Sequence, residues 1–129
     1  MTKKAKTLIG VCVLILEDDY YLAMDLHDTL HMAGATVLGP FASADAAIDA
    51  LASDRPTCAL LDLNLGQGMS LDLPRELERR SIPFAFVTGY DRAAIPAEFN
   101  RYARAEKPIA VSKAVELVER MTSSTTSVA

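Results

Sequence analysis

Ala59-Leu60-Leu61-Asp62-Leu63-Asn64-Leu65 is an apolar run that carries one carboxylate at its end and then breaks into Gly66 and Gly68. A run apolar at consecutive positions has no solvent face, which suits a strand covered on both sides in a parallel sheet. An acid at the end of such a strand, beside a glycine-rich loop, is displayed for chemistry. Its meaning depends on what the other strand ends bring to it.

Working outward, residues 11–16 form a second apolar run, rich in β-branched side chains and stopped by Glu17, Asp18 and Asp19. Asp19 can cap a helix with the apolar stripe Leu22, Ala23, Leu26, Leu30 and Ala33, ended by Gly34. Residues 35–39 read as a short strand closed by Pro40, and Ser43 opens a helix carrying Ala44, Ala47, Ile48 and Leu51. After the strand at 57–61, Asp72 is expected to cap a helix that tolerates Pro74 in its first turn. That helix turns Leu71, Leu73 and Leu77 inward and Glu76, Glu78, Arg79 and Arg80 outward. Residues 83–87 read as a fourth strand stopping at Thr88-Gly89-Tyr90. Pro96 interrupts 91–100, which predicts an irregular connection or one helical turn. Residues 101–106 are a weak fifth strand ending at Lys107-Pro108, and a last helix uses Val111, Val115, Val118 and Met121. The Ser/Thr-rich residues 122–129 are expected to be a flexible tail.

Strands alternating with helices predict an α/β fold: a doubly wound, five-stranded parallel sheet in the order 2-1-3-4-5. One domain over residues 5–121, with flexible ends at 1–4 and 122–129, accounts for the 129 residues. A net charge of −4 argues against nucleic acid, and Lys3, Lys4 and Lys6 read as a solvated arm. Cys12 and Cys58 lie in apolar runs without metal-ligand spacing and read as buried reduced thiols. The apolar run 8–16 after these lysines resembles a signal peptide, but acids follow it instead of a cleavage site, and it is too short to cross a membrane. The expectation is a cytoplasmic protein.

The predicted topology gathers Glu17 and Asp18 from strand one, Asp62 from strand three, Thr88 from strand four and Lys107 from strand five. Two carboxylates about 4 Å apart repel by roughly 4 kcal/mol at an effective dielectric of 20, which a divalent cation relieves. An all-oxygen donor set shared between loops suits Mg²⁺. A hydroxyl and an ammonium beside such a centre are what phosphoryl oxygens need.

The motifs Leu16-Glu17-Asp18-Asp19, Leu60-Leu61-Asp62-Leu63-Asn64-Leu65, Phe86-Val87-Thr88-Gly89-Tyr90 and Glu106-Lys107-Pro108 together resemble a bacterial response-regulator receiver domain. The resemblance implies a flavodoxin-like receiver fold that acts in signalling and not as an enzyme. It implies that Asp62 accepts a phosphoryl group from a histidine kinase or a histidine phosphotransfer protein. It implies Mg²⁺ held by Asp18, by Glu17 through water, by Asp62 and by the backbone carbonyl of Asn64. Thr88 and Lys107 then contact the phosphoryl group, and output passes to a protein partner from a stand-alone module. Residues 83–90 are similar to the subfamily named for a Phe-Ala-Thr-Gly motif.

Two departures stand out. The family's usual switch aromatic falls here on Arg104, leaving Tyr102 and Tyr90 as the nearby rings. Tyr90 sits where the family tunes dephosphorylation. Tyr20 and Tyr21 are expected to pack near the acidic loop, and His27 and His31 to lie on a partly exposed helix face. An aspartyl-nucleophile phosphatase is the rival reading, disfavoured because the candidate nucleophile sits on strand three; a degenerate receiver is disfavoured by the intact acid set.

Overall fold

The computed structural model describes residues 7–62, 64–65, 68–69, 71–88, 95–99, 101–107 and 109–126. Along the chain these form β1 (Cys12–Leu16), α1 (Tyr20–Met32), β2 (Thr36–Phe41), α2 (Ala44–Ala50), β3 (Cys58–Leu61), β4 (Asn64–Leu65), β5 (Gly68–Met69), α3 (Asp72–Arg79), β6 (Phe84–Thr88), a 3₁₀ turn (Ala97–Phe99), β7 (Arg104–Glu106) and α4 (Val111–Thr126). Five strands make one parallel sheet ordered β2-β1-β3-β6-β7, which is 2-1-3-4-5 counting only the strands of the sheet. The expected doubly wound α/β architecture is therefore the one observed. The short strands β4 and β5 pair antiparallel in a separate ribbon directly after Asp62.

Alternation along the strands divides the core in two. Leu14, Leu16, Ala59, Leu61, Phe84 and Phe86 pack on one face against Ala47 of α2 and Leu73 and Leu77 of α3. Val13, Ile15, Leu60, Ala85 and Val87 pack on the other against Leu26 and Leu30 of α1 and Leu117 and Val118 of α4. Leu8 is fully buried in this second layer, so the run that resembled a signal peptide contributes Leu8 and residues 13–16 to the core, with Ile9 exposed.

The caps of the first two helices are as expected. Asp19 accepts from the amides of Tyr21 and Leu22, and Ser43 from that of Ala46. Four details differ. Pro40 does not close β2 but lies within it, tolerated because β2 is an edge strand. The pairing slips by one residue there, from Leu14↔Leu38 to Leu16↔Phe41, and Gly39 absorbs the irregularity at φ 101°, where a Cβ would meet the Phe41 amide at 2.8 Å. Asp72 is the first residue of α3 and not its cap; Leu71 holds the cap position without a side-chain bond. The buried stripe of α4 is Ala114, Leu117 and Val118, with Val115 and Met121 flanking it. Finally, α4 continues through Thr126 where a tail from Thr122 was expected, with Thr122 Oγ1 donating to the Val118 carbonyl at 2.9 Å. Between β6 and β7 the expected single turn is the 3₁₀ turn at Ala97–Phe99; residues 91–94 and 100 lie outside the described residues.

Both thiols are free, as expected, though only Cys58 is buried outright and Cys12 is partly exposed. Burial, with a smaller contribution from Cys12, pushes the Cys58 thiol up from 9.0 to about 12. The unfolded chain therefore releases a proton above pH 9 that the folded chain holds until about pH 12, so this group lowers stability as pH rises through that window. A thiol-specific reagent at pH 8 should modify Cys58 only in denaturant, and Cys58→Ala should flatten the fall in urea midpoint between pH 8.5 and 10.5 relative to the parent; native labelling of Cys58 would contradict the burial.

Candidate functional site

The β1–β3 register builds the site. Leu16 stands opposite Leu61, so the next residue on each strand, Glu17 and Asp62, leave the sheet side by side. The Asp62 amide donates to the Leu16 carbonyl and the Glu17 amide to the Phe41 carbonyl, both at 2.9 Å. Because β1 separates β2 from β3, this is the point where the winding of the sheet reverses, and ligands of such sheets bind there beyond the strand ends.

Glu17 and Asp62 are buried, 3% and 2% exposed, whereas Asp18 is open to solvent. One carboxylate oxygen from each of the three lies within 4.8 Å of the others. Lys107, just past β7, reaches across with its ammonium and donates to Asp62 Oδ2 at 2.8 Å and to Glu17 Oε2 at 2.9 Å. Glu17 Oε2 also accepts from the Asp19 amide at 3.1 Å, which ties the site to the start of α1. The three acids and the lysine that the sequence singled out are thus brought together. Thr88 ends β6 between β3 and β7, its backbone paired with Glu106, and Asn64 opens β4 two residues past Asp62. The Thr88 hydroxyl lies outside what the structure describes, and the Asn64 backbone stands opposite Met69 in the β4–β5 ribbon.

Electrostatics follow from this geometry. Burial raises the Glu17 pKa, and the charge of Asp62 adds to it, outweighing the hydrogen bonds from Lys107 and the Asp19 amide. Burial alone would lower Lys107, but its hydrogen bonds to Asp62 and Glu17 and their charges raise it, so the ammonium persists. Three carboxylates face one ammonium, and Glu17 Oε1 is buried without a hydrogen-bond partner. An orphaned carboxylate oxygen among hard oxygen donors with excess negative charge fits a divalent cation such as Mg²⁺.

The rings near β7 gather around Tyr102. Tyr102 stacks on Phe84 at 4.1 Å, lies edge-on to Phe86 and adjoins Phe99. Its hydroxyl donates to Glu78 Oε2 at 2.8 Å, and Arg101 lies over its ring and pairs with the same glutamate. Tyr102 is a held member of an aromatic cluster that ties α3 to the approach to β7. Arg104 pairs opposite Phe86 on β7, and Tyr90 lies outside the described residues. Contrary to expectation, Tyr20 and Tyr21 are exposed and meet each other edge-on at 5.5 Å. His27 and His31 stack at 6.1 Å on the outer side of α1, and among the described residues they join no metal-binding group.

An α/β sheet with an acidic pocket and a lysine at its winding reversal defines a class of flavodoxin-like folds; comparison with solved structures narrows it. No family model matches the chain, and no curated protein does. The solution structure of SdrG from Sphingomonas melonis Fr1 is 26% identical, with TM-score 0.76 over 90% of this chain and 98% of that one. The BeF3-activated receiver domain of nitrogen regulatory protein C is 27% identical, with TM-score 0.71 over 89% of this chain and 95% of that one. A response regulator receiver protein from Sinorhizobium medicae WSM419 is 20% identical, with TM-score 0.75 over 88% and 94%. The chain has the response-regulator receiver fold. No helix among the described residues is long and apolar enough to cross a membrane.

Lys107→Met leaves two buried carboxylates facing each other without their shared donor. It should lower the stability of the metal-free protein by about 3 kcal/mol in urea titration. In Asp62→Asn the same substitution should cost markedly less; equal losses in both backgrounds would mean that the bridge does not couple the two residues.

Proposed function

We propose that the chain accepts a phosphoryl group on Asp62 from the phosphohistidine of a histidine kinase or histidine phosphotransfer protein, and transmits the change to a protein partner. The observation that carries this reading is the Lys107 ammonium bridging Asp62 and Glu17 at 2.8 and 2.9 Å beside Asp18. An Asp62 oxygen attacks phosphorus as the bond to the donor imidazole nitrogen breaks, the electron pair staying on that nitrogen. Lys107, already aimed at Asp62, pairs with a phosphoryl oxygen, and Thr88 supplies a hydroxyl donor from the neighbouring strand end. Glu17, Asp18, Asp62 and the Asn64 carbonyl are the residues that would hold Mg²⁺. When bound, the ion supplies positive charge that offsets the phosphoryl oxygens. The deep burial of Asp62 limits the access of water to the acyl phosphate. Such a module would work in the cytoplasm; its net charge of −4 supports neither nucleic acid nor an anionic membrane as a direct partner.

Incubation with acetyl phosphate should add one base-labile phosphoryl group by mass spectrometry, only with Mg²⁺ and not in Asp62→Asn. Labelling independent of Mg²⁺, or equal in Asp62→Asn, would overturn the assignment.

Without phosphate donor, Mg²⁺ should raise the melting temperature by several degrees, as about 1 kcal/mol does for a domain of this size. Asp18→Asn should raise the melting temperature of the metal-free protein while weakening the Mg²⁺ effect. A metal-free Asp18→Asn that melts lower would show that repulsion among the acids is not what the ion relieves.

A further inference from the structure

Among the described residues the large hydrophobic side chains open to solvent are Ile9, Tyr20, Tyr21 and Met32. Three belong to α1, and Ile9 sits in the turn joined to the end of α1 by the Leu8 amide donating to the Ala33 carbonyl at 2.9 Å. The outward side of α1 carries two tyrosines, two methionines, two histidines and two aspartates, with no Lys, Arg or Glu anywhere in the helix. A solvated helix face is ordinarily built from Lys and Glu. Depletion of Lys and Glu with enrichment in Tyr and Met is the composition of protein interfaces.

Beside this face runs a groove of about 600 Å³ between α1 and α4, walled by Met32, Ala33, Val111 and Val115 and carrying Glu116 and Glu119. Asp25 and Asp28 stand four residues before Thr29 and Met32, which line the groove, so the helical repeat places both acids along its α1 side. Lys113 offsets Glu116 only in part, at 3.6 Å with both side chains exposed. Among the described residues the groove is thus apolar along its walls and acidic along both rims, with Asp28 beside His27 at 2.9 Å and Glu119 accepting from Thr7 Oγ1 at 2.6 Å.

We propose that the α1–α4 groove is a docking surface for an amphipathic helix of a partner protein, one whose apolar stripe covers Met32, Val111 and Val115 and whose flanking lysines or arginines meet Asp25, Asp28, Glu116 and Glu119. Helices laid into apolar grooves are a recurrent recognition mode, and the acidic rims select a cationic one. A second copy's α1 would set aspartates against aspartates, which charge disfavours. None of these residues belongs to the acid pocket, so binding requires neither Mg²⁺ nor phosphorylation.

The test titrates the full chain with an amidated Leu/Lys amphipathic helix of about 18 residues and with a Leu/Glu helix of the same apolar stripe, followed by amide NMR. Shifts should concentrate at Thr29, Met32, Val111 and Val115, with the cationic helix at least about tenfold tighter. The double variant Glu116→Lys, Glu119→Lys should reverse that preference. Met32→Ala, at a side chain too exposed to govern folding, should weaken the cationic helix severalfold even if the double variant fails to fold. Shifts spread over the surface, equal affinity for both helices, or indifference to Met32→Ala would overturn the proposal. So would a concentration-dependent dimer in sedimentation that Met32→Asp dissolves, since it would assign the face to a second copy.

Discussion

The structure turns on two carboxylates that must share one lysine. Parallel pairing of β1 with β3 brings Glu17 and Asp62 out of the sheet together, each almost wholly buried. That placement is costly unless cations come to it, and Lys107 is delivered by β7, the far edge strand, with β6 between. The sheet order, the length of the lysine stem and the end of each strand all serve this meeting. Glu17 additionally holds the amide that begins α1, so the first helix and the site share one carboxylate.

Most of this was legible in the sequence, for a physical reason. Strands buried on both faces leave long apolar runs, and in a doubly wound sheet their ends can converge only at the reversal of winding. Asp62, Glu17, Asp18 and Lys107 each terminate or follow such a run, so placing the strands places the side chains. The Asp19 and Ser43 caps were legible because capping is a bond between near neighbours.

What escaped reading depends on contacts between distant residues or on position in the sheet. The Glu78–Tyr102 hydrogen bond joins residues 24 apart, and Arg75–Glu98 residues 23 apart, with no local pattern to announce either. Pro40 reads locally as a stop; only its place on an edge strand lets β2 run through it. Tyr20 and Tyr21 look like candidates for packing by their type, yet among the described residues both stay open to solvent. The ribbon of β4 and β5 grows from two-residue strands too short to carry any periodicity.

The irregular pairing at Leu38 to Phe41 has a consequence for the protein's solubility. An open parallel sheet has two edges, and each exposes backbone groups that could recruit a strand from another molecule. On β2 the proline removes a donor and the slipped register bends the edge, while the opposite edge is the three-residue β7. Neither border offers a long straight template, so the molecule can crowd beside copies of itself without extending its sheet.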